Sequence, residues 1–184
     1  MKIYLTGLLI LVGLVGVSIY ADSQDVKPDK KTRKEARRVE LTANYHAIDT
    51  LLHSMRFVLE ADYLQGKYGD RVSVTSLLNF IRVDGPNGVL QTGSDTRQGY
   101  NGVGGVTAEG SIMDYRISND KKNLSSTVNF SLVTNLGSFT ILLTVSADNN
   151  ANATISGSTS GRLTWAGHLK SLDNARVFKG TTTY

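Results

Sequence analysis

Cysteine is absent from the 184 residues, which excludes disulfide frameworks, cysteine zinc sites, thiol nucleophiles and lipid attachment to an N-terminal thiol. Two prolines against eighteen glycines exclude proline-rich linkers and collagen-like repeats. Histidine is scarce as well, with three in the whole chain. What remains is ordinary globular stock, 40% hydrophobic and 20% charged, in a length that suits one domain.

The first residues read as an address. Met1 and Lys2 precede an uncharged stretch, Ile3 to Tyr20, that ends at Ala21 before the polar Asp22. A positive start, an apolar block and a small residue before polar sequence form the pattern of a secretory signal. A bilayer span needs ~20 apolar residues, and Gly7, Gly13 and Gly16 dilute this block. An uncleaved anchor is the competing reading, since Ile19 stands where a small residue should precede the cut. The expected organisation is a signal peptide over 1–21, a basic linker and helix start over 22–38, and a single β-rich domain over 39–184. The expected destination is periplasmic or secreted.

Charge is unevenly spread. Lys27, Lys30, Lys31, Arg33, Lys34, Arg37 and Arg38 face only Asp29 and Glu35, whereas from residue 39 onward cations and anions balance at twelve each. The sequence pI of 9.3 thus belongs to one short stretch. Nucleic-acid binders spread Lys and Arg over a face with base-reading side chains among them. This cluster holds no aromatic, so no nucleic-acid partner is expected. Weak contact with an anionic membrane surface is the partner that such charge admits, against the plainer reading of a solvated helix start.

Asp29 is placed to cap a helix, and no Gly or Pro interrupts Lys30 to about Ser54. Leu41, Tyr45, Ile48, Leu52 and Met55 recur at helical spacing on one face. After that the period changes to two. Phe57, Leu59, Ala61 and Tyr63 alternate with Val58, Glu60 and Asp62, and similar runs cover Val128 to Leu132, Phe139 to Ala147 and Leu163 to Leu169. Turn chemistry such as Asp84-Gly85-Pro86-Asn87-Gly88 and Asp148-Asn149-Asn150 separates them. Links this short join antiparallel neighbours. The expected fold class is α+β, mainly β: an N-terminal helix packed on an antiparallel meander sheet of about eight strands. A closed barrel or a two-sheet sandwich is the main competitor. Val72 to Val83 does not alternate cleanly, which a bulge or a strand buried on both faces would explain. Asp95 to Gly110, rich in glycine, is the least regular part and the expected mobile loop.

Three patterns come near to chemistry. Gly102, Gly104 and Gly105 suggest a phosphate cradle, but Thr107 replaces the last glycine and no helix signal follows. Gly157-Ser158-Thr159-Ser160-Gly161 resembles a nucleophile elbow with threonine at its centre, yet strands flank it on both sides. His46, Asp49 and His53 share one flank of the helix, away from its apolar stripe. Two imidazoles and a carboxylate could hold a zinc-like ion, but His46 and His53 are ~10 Å apart along the axis. His168 alternates away from Trp165, toward water. Glu60, Asp62 and Glu109 could meet only if the fold brings them together. Three sequons, at Asn123, Asn129 and Asn152, would count only in a eukaryotic secretory route. No catalytic, metal or cofactor residue is nominated, and the expectation is a protein that is not an enzyme.

Met55-Arg-Phe-Val-Leu-Glu-Ala-Asp62, Asn79-Phe-Ile-Arg-Val-Asp-Gly85, Asn101-Gly-Val-Gly-Gly-Val-Thr-Ala-Glu-Gly110 and Val177-Phe-Lys-Gly180 together resemble DUF4251, a family of exported Bacteroidetes proteins. The resemblance covers about residues 43–180 and implies an export signal, a helix and a β-rich body in a bacterial envelope setting. It carries no activity, ligand or catalytic residue. The resulting expectation is a non-catalytic, exported protein that binds a ligand or partner outside the cytoplasm, with an apolar cleft edged by the Asp95–Gly110 loop and Tyr100. The alternatives are a membrane-surface protein acting through residues 27–38 and a metal-dependent hydrolase built on His46, Asp49 and His53.

Overall fold

The computed structural model describes residues 29–94, 99, 101–157 and 161–184. The segment expected to be a signal peptide (1–21), Lys27, and residues 95–98 and Tyr100 of the expected mobile loop lie outside them. Asp29 accepts the Lys30 N–H at 2.7 Å and opens α1 (Lys30–His53). A side-chain oxygen at this position satisfies a donor that has no partner within the helix. Ser54 caps the other end, and Met55 takes a left-handed φ of 51° that turns the chain into the first strand.

Nine strands follow: β1 (Arg56–Gln65), β2 (Arg71–Ser73), β3 (Phe80–Asp84), β4 (Asn87–Thr92), β5 (Val106–Asp120), β6 (Ser125–Thr134), β7 (Gly137–Ser146), β8 (Asn150–Ser156) and β9 (Arg162–Ser171). All pairings are antiparallel, in the order β2-β1-β3-β4-β5-β6-β7-β8-β9, and β1 also pairs with β9. Eight strands therefore close into a barrel, and short β2 extends one end of β1. The helix-on-sheet expectation holds, with closure as the refinement: α1 lies across one end of the barrel rather than along a face.

Closure needs curvature, and two strands supply it. β1 bulges at Asp62 and β5 between Met113 and Arg116, where Asp114 has φ 54°. Such insertions bend a strand and shift its alternation. The bulge in β1 corrects one expectation: inward-facing Phe57, Leu59 and Ala61 are succeeded by Leu64, and Tyr63 is exposed. The Val72–Val83 segment holds two strands with a turn between them, and within it β3 is buried on both faces, one of the two explanations expected for its broken alternation. Asp95–Gly110 is also shorter in irregularity than expected, because β5 starts at Val106.

The barrel interior is filled by alternating side chains from every long strand, among them Phe57, Ile81, Phe130, Leu143, Ala153 and Trp165. Ile48 and Leu52 of α1 join this cluster and stopper the end. The Tyr115 hydroxyl donates to the Leu52 carbonyl at 2.8 Å, and burial raises its pKa above the usual phenol value. An apolar inside and a polar outside (Thr140, Thr144, Asn152) reverse the pattern of a membrane-spanning barrel. No helix among the described residues is long and apolar enough to cross a membrane.

The last residues form a second layer. Leu172, Ala175 and Val177 cover Val58, Phe80 and Val89 on the outer surface of β1, β3 and β4. Lys179 and Thr182 both bond to Glu109, and these bonds, Lys179 foremost, hold its carboxyl below the usual range. Beneath the tail sit the buried side chains of Asn79, Gln91, Asn101 and Thr107, each hydrogen-bonded.

Candidate apolar cavity at the open barrel end

The end opposite α1 is not stoppered. There the barrel interior opens as a cavity of about 410 Å³, lined by Leu90, Thr92, Val106, Ala108, Phe139, Ile155, Gly157, Gly161, Arg162, Leu163 and Trp165. These come from the ends of β4, β8 and the starts of β5, β7, β9. The alternation that aims Trp165 and Leu169 at the core aims Leu163 at the mouth. The cavity exists because three inward or rim positions are small: Ala108, Gly157 and Gly161 leave unfilled what larger residues would occupy.

The polar content of the lining is low. The Thr92 hydroxyl accepts the Val106 N–H at 3.2 Å. Arg162 is exposed at the rim, and its side chain has no hydrogen bond or ion pair with any described residue. Trp165 is fully buried, and its Nε1 has no hydrogen-bond partner. None of the described lining residues is His, Asp or Glu.

The residues singled out from the sequence lie elsewhere. His53 Nδ1 is 3.2 Å from Asp49 Oδ1, but that oxygen also accepts Asn119 Nδ2 at 2.7 Å, so Asp49 ties the helix to β5. His46 stands beside the Tyr45 ring with centroids 5.5 Å apart. Among the described residues no group of three or more His, Cys, Asp or Glu could hold a metal ion. His168 is exposed and pairs with Asp62 at 3.4 Å across a smaller polar groove. The three carboxylates do not converge: Glu60 accepts the Arg176 N–H, Asp62 meets His168, and Glu109 meets Lys179.

The two glycine motifs resolve into turns. Gly102 and Gly104 have positive φ, 72° and 76°, in a turn organised by Asn101, whose Oδ1 accepts from Val103 and Gly105; a strand follows. Gly157 and Gly161 join β8 to β9, strand to strand, while Ser158, Thr159 and Ser160 lie outside the described residues. Sequence reasoning expected an apolar cleft edged by the Asp95–Gly110 segment; Val106 and Ala108 of that segment line this cavity, at the barrel end opposite α1. No local motif announces it, because five strand ends distant in sequence build it.

Fold and site together define a small antiparallel β-barrel with an apolar core, closed by a helix at one end and hollow at the other. The family model DUF4251, a domain of unknown function, matches residues 40–169. The chain belongs to that family. It is similar to the crystal structure of a DUF4251 family protein from Bacteroides eggerthii, at 33% identity and a TM-score of 0.61, over 73% of this chain and 91% of that one. No curated protein matches the chain.

Proposed function

We propose that this chain is an exported, non-catalytic binding protein of the cell envelope that holds an apolar ligand in the open end of its barrel. The observation that supports this reading is the mouth cavity, about 410 Å³ with an apolar lining. Small-molecule pockets run roughly 300–1,000 Å³ and are apolar with a few placed polar groups. Among the described lining residues the one ionisable side chain is Arg162, which offers no acid–base pair. Export rests on the 1–21 leader pattern.

The chain's single tryptophan, Trp165, lies at the cavity and reports on it. An apolar naphthalene dye should quench Trp165 emission on entry. Ala108 is buried and lines the hollow, so Ala108→Phe puts a ring into it. The variant should weaken dye uptake at least about tenfold, a change of about 1.4 kcal/mol, while melting within a few degrees of the native protein. Equal uptake by both proteins would remove the reading.

A second reading, contact with an anionic membrane surface, is favoured by one observation on α1. Its first eleven residues are exposed, so about 16 Å of helix overhangs the barrel. At 100° per residue, Lys30, Lys31, Arg33, Lys34, Arg37 and Arg38 fall within roughly 160° of arc. Near an anionic bilayer each cation contributes about 1 kcal/mol, screened by salt. Co-sedimentation with vesicles containing phosphatidylglycerol should be strong at low salt and lost at high salt. Replacing all six cations by glutamine should abolish it, and retained sedimentation would dismiss this role for the helix.

A further inference from the structure

Resting on the mouth-cavity reading above, we infer that the ligand is a single-chain anionic amphiphile, its hydrocarbon tail inside the barrel and its carboxylate at Arg162. Leu90, Val106, Ala108, Ile155, Leu163 and Trp165 offer the ligand's body only carbon surface, because the Trp165 Nε1 is sealed within the core. Among the described lining residues the one hydroxyl, that of Thr92, already accepts a backbone N–H. A polar ligand body would lose its hydrogen bonds to water and find none here, which a hydrocarbon tail does not risk.

The rim then selects the head. Three cations of the barrel wall are matched: Arg82 with Asp84 at 2.8 Å, Arg56 with Asp84 at 3.6 Å, and Lys179 with Glu109; Lys170 of β9 pairs with no described carboxylate, but it does not line this cavity. Arg162 has no such carboxylate among the described residues, and none of the described lining residues is acidic. A guanidinium presents two parallel N–H donors that fit a carboxylate. A cationic head would meet like charge with no described carboxylate to offset it, and a neutral head would leave the guanidinium unmatched. Because the cavity opens to solvent, the head keeps part of its hydration while the tail loses its exposure to water.

Three ligands with one tail and different heads test the assignment: decanoate, 1-decanol and decyltrimethylammonium, each titrated calorimetrically into native protein, Arg162→Gln and Ala108→Phe. In native protein, decanoate should bind about fivefold tighter than decanol and at least tenfold tighter than the ammonium. A single charge-assisted, solvent-facing contact gives a preference of that order. Arg162→Gln should bring decanoate to within about twofold of decanol and leave decanol unchanged. Ala108→Phe should weaken all three. If none of the three binds native protein, the cavity reading falls and the head assignment falls with it. If decanol binds and Ala108→Phe weakens it, but decanoate is no tighter, the cavity reading stands and the head assignment is overturned. A carboxylate preference that survives Arg162→Gln overturns it equally.

Discussion

Gly167→Ala should cost about 3 kcal/mol or more and open the barrel between β1 and β9. Gly167 pairs with Ala61 beside the Asp62 bulge, and a Cβ built on it would sit 1.9 Å from the Glu60 carbonyl oxygen and 2.9 Å from the Ala61 Cα. The obstruction is backbone, so no side chain can swing aside, and the two strands must separate. Overpacking a tight site typically costs about 1–3 kcal/mol and sometimes more, and strand separation also breaks ladder hydrogen bonds. In a chain of this length each kcal/mol moves the melting temperature by about 2–4 °C. A fall of at least about 6 °C is expected, with amide protection lost first along β1 and β9. A melting temperature within two degrees of native would mean that the closure tolerates a methyl group and that the argument from close approach is wrong.

Gln91→Leu should be comparably damaging, for a different reason. Gln91 is fully buried and makes all four hydrogen bonds that its amide allows. Its Nε2 donates to the carbonyls of Leu78 at 3.1 Å and Phe178 at 2.8 Å, and its Oε1 accepts the Thr107 hydroxyl at 2.9 Å and the Gly180 N–H at 2.8 Å. Leucine keeps the volume and strands the partners. Each unmet buried partner costs about 1–3 kcal/mol, so a total of about 3 kcal/mol or more is expected even after the tail relaxes toward water. Hydrogen exchange separates this from general destabilisation: Gly180, Thr181 and Thr183 should lose protection well before the barrel strands do. Tail amides that exchange no faster than in native protein would show that Gln91 does not pin the tail.

The parts of this fold that were legible in sequence are those with one face in a core and one in water. α1 was readable from Asp29, the long stretch without Gly or Pro, and the Tyr45–Ile48–Leu52 stripe. β6, β7 and β9 were readable because Val128, Ile141 or Trp165 alternate with Ser, Thr and Asn. β3 and β4 hid because the tail buries their outer side too, so Phe80 and Val89 break the period. β5 hid because its inward positions are small near Ala108 and Gly110, and its bulge changes phase near Asp114. Closure was left open between sheet, barrel and sandwich because its determinants are a bulge and a missing side chain at Gly167, neither of which has a hydrophobic signature. The cavity was invisible for a related reason: a hollow is made by what is absent at Ala108, Gly157 and Gly161. The His46–Asp49–His53 flank was legible as one face of the helix, but the partner of Asp49, Asn119, comes from a strand that no periodicity revealed.

The pairing of Phe57 with Ser171 joins residues from opposite ends of the body, and the tail crosses the wall only after that. Architectures dominated by such distant partners assemble slowly, over milliseconds to seconds, because a large chain entropy is lost before the contacts that repay it are made. Synthesis or delivery from the N-terminus therefore leaves an unfinished ribbon with two bare edges, the hazard that natural sheets otherwise conceal. Interruption anywhere before β9 yields no smaller, functional version of the molecule. Its hollow comes into being all at once, with the final strand.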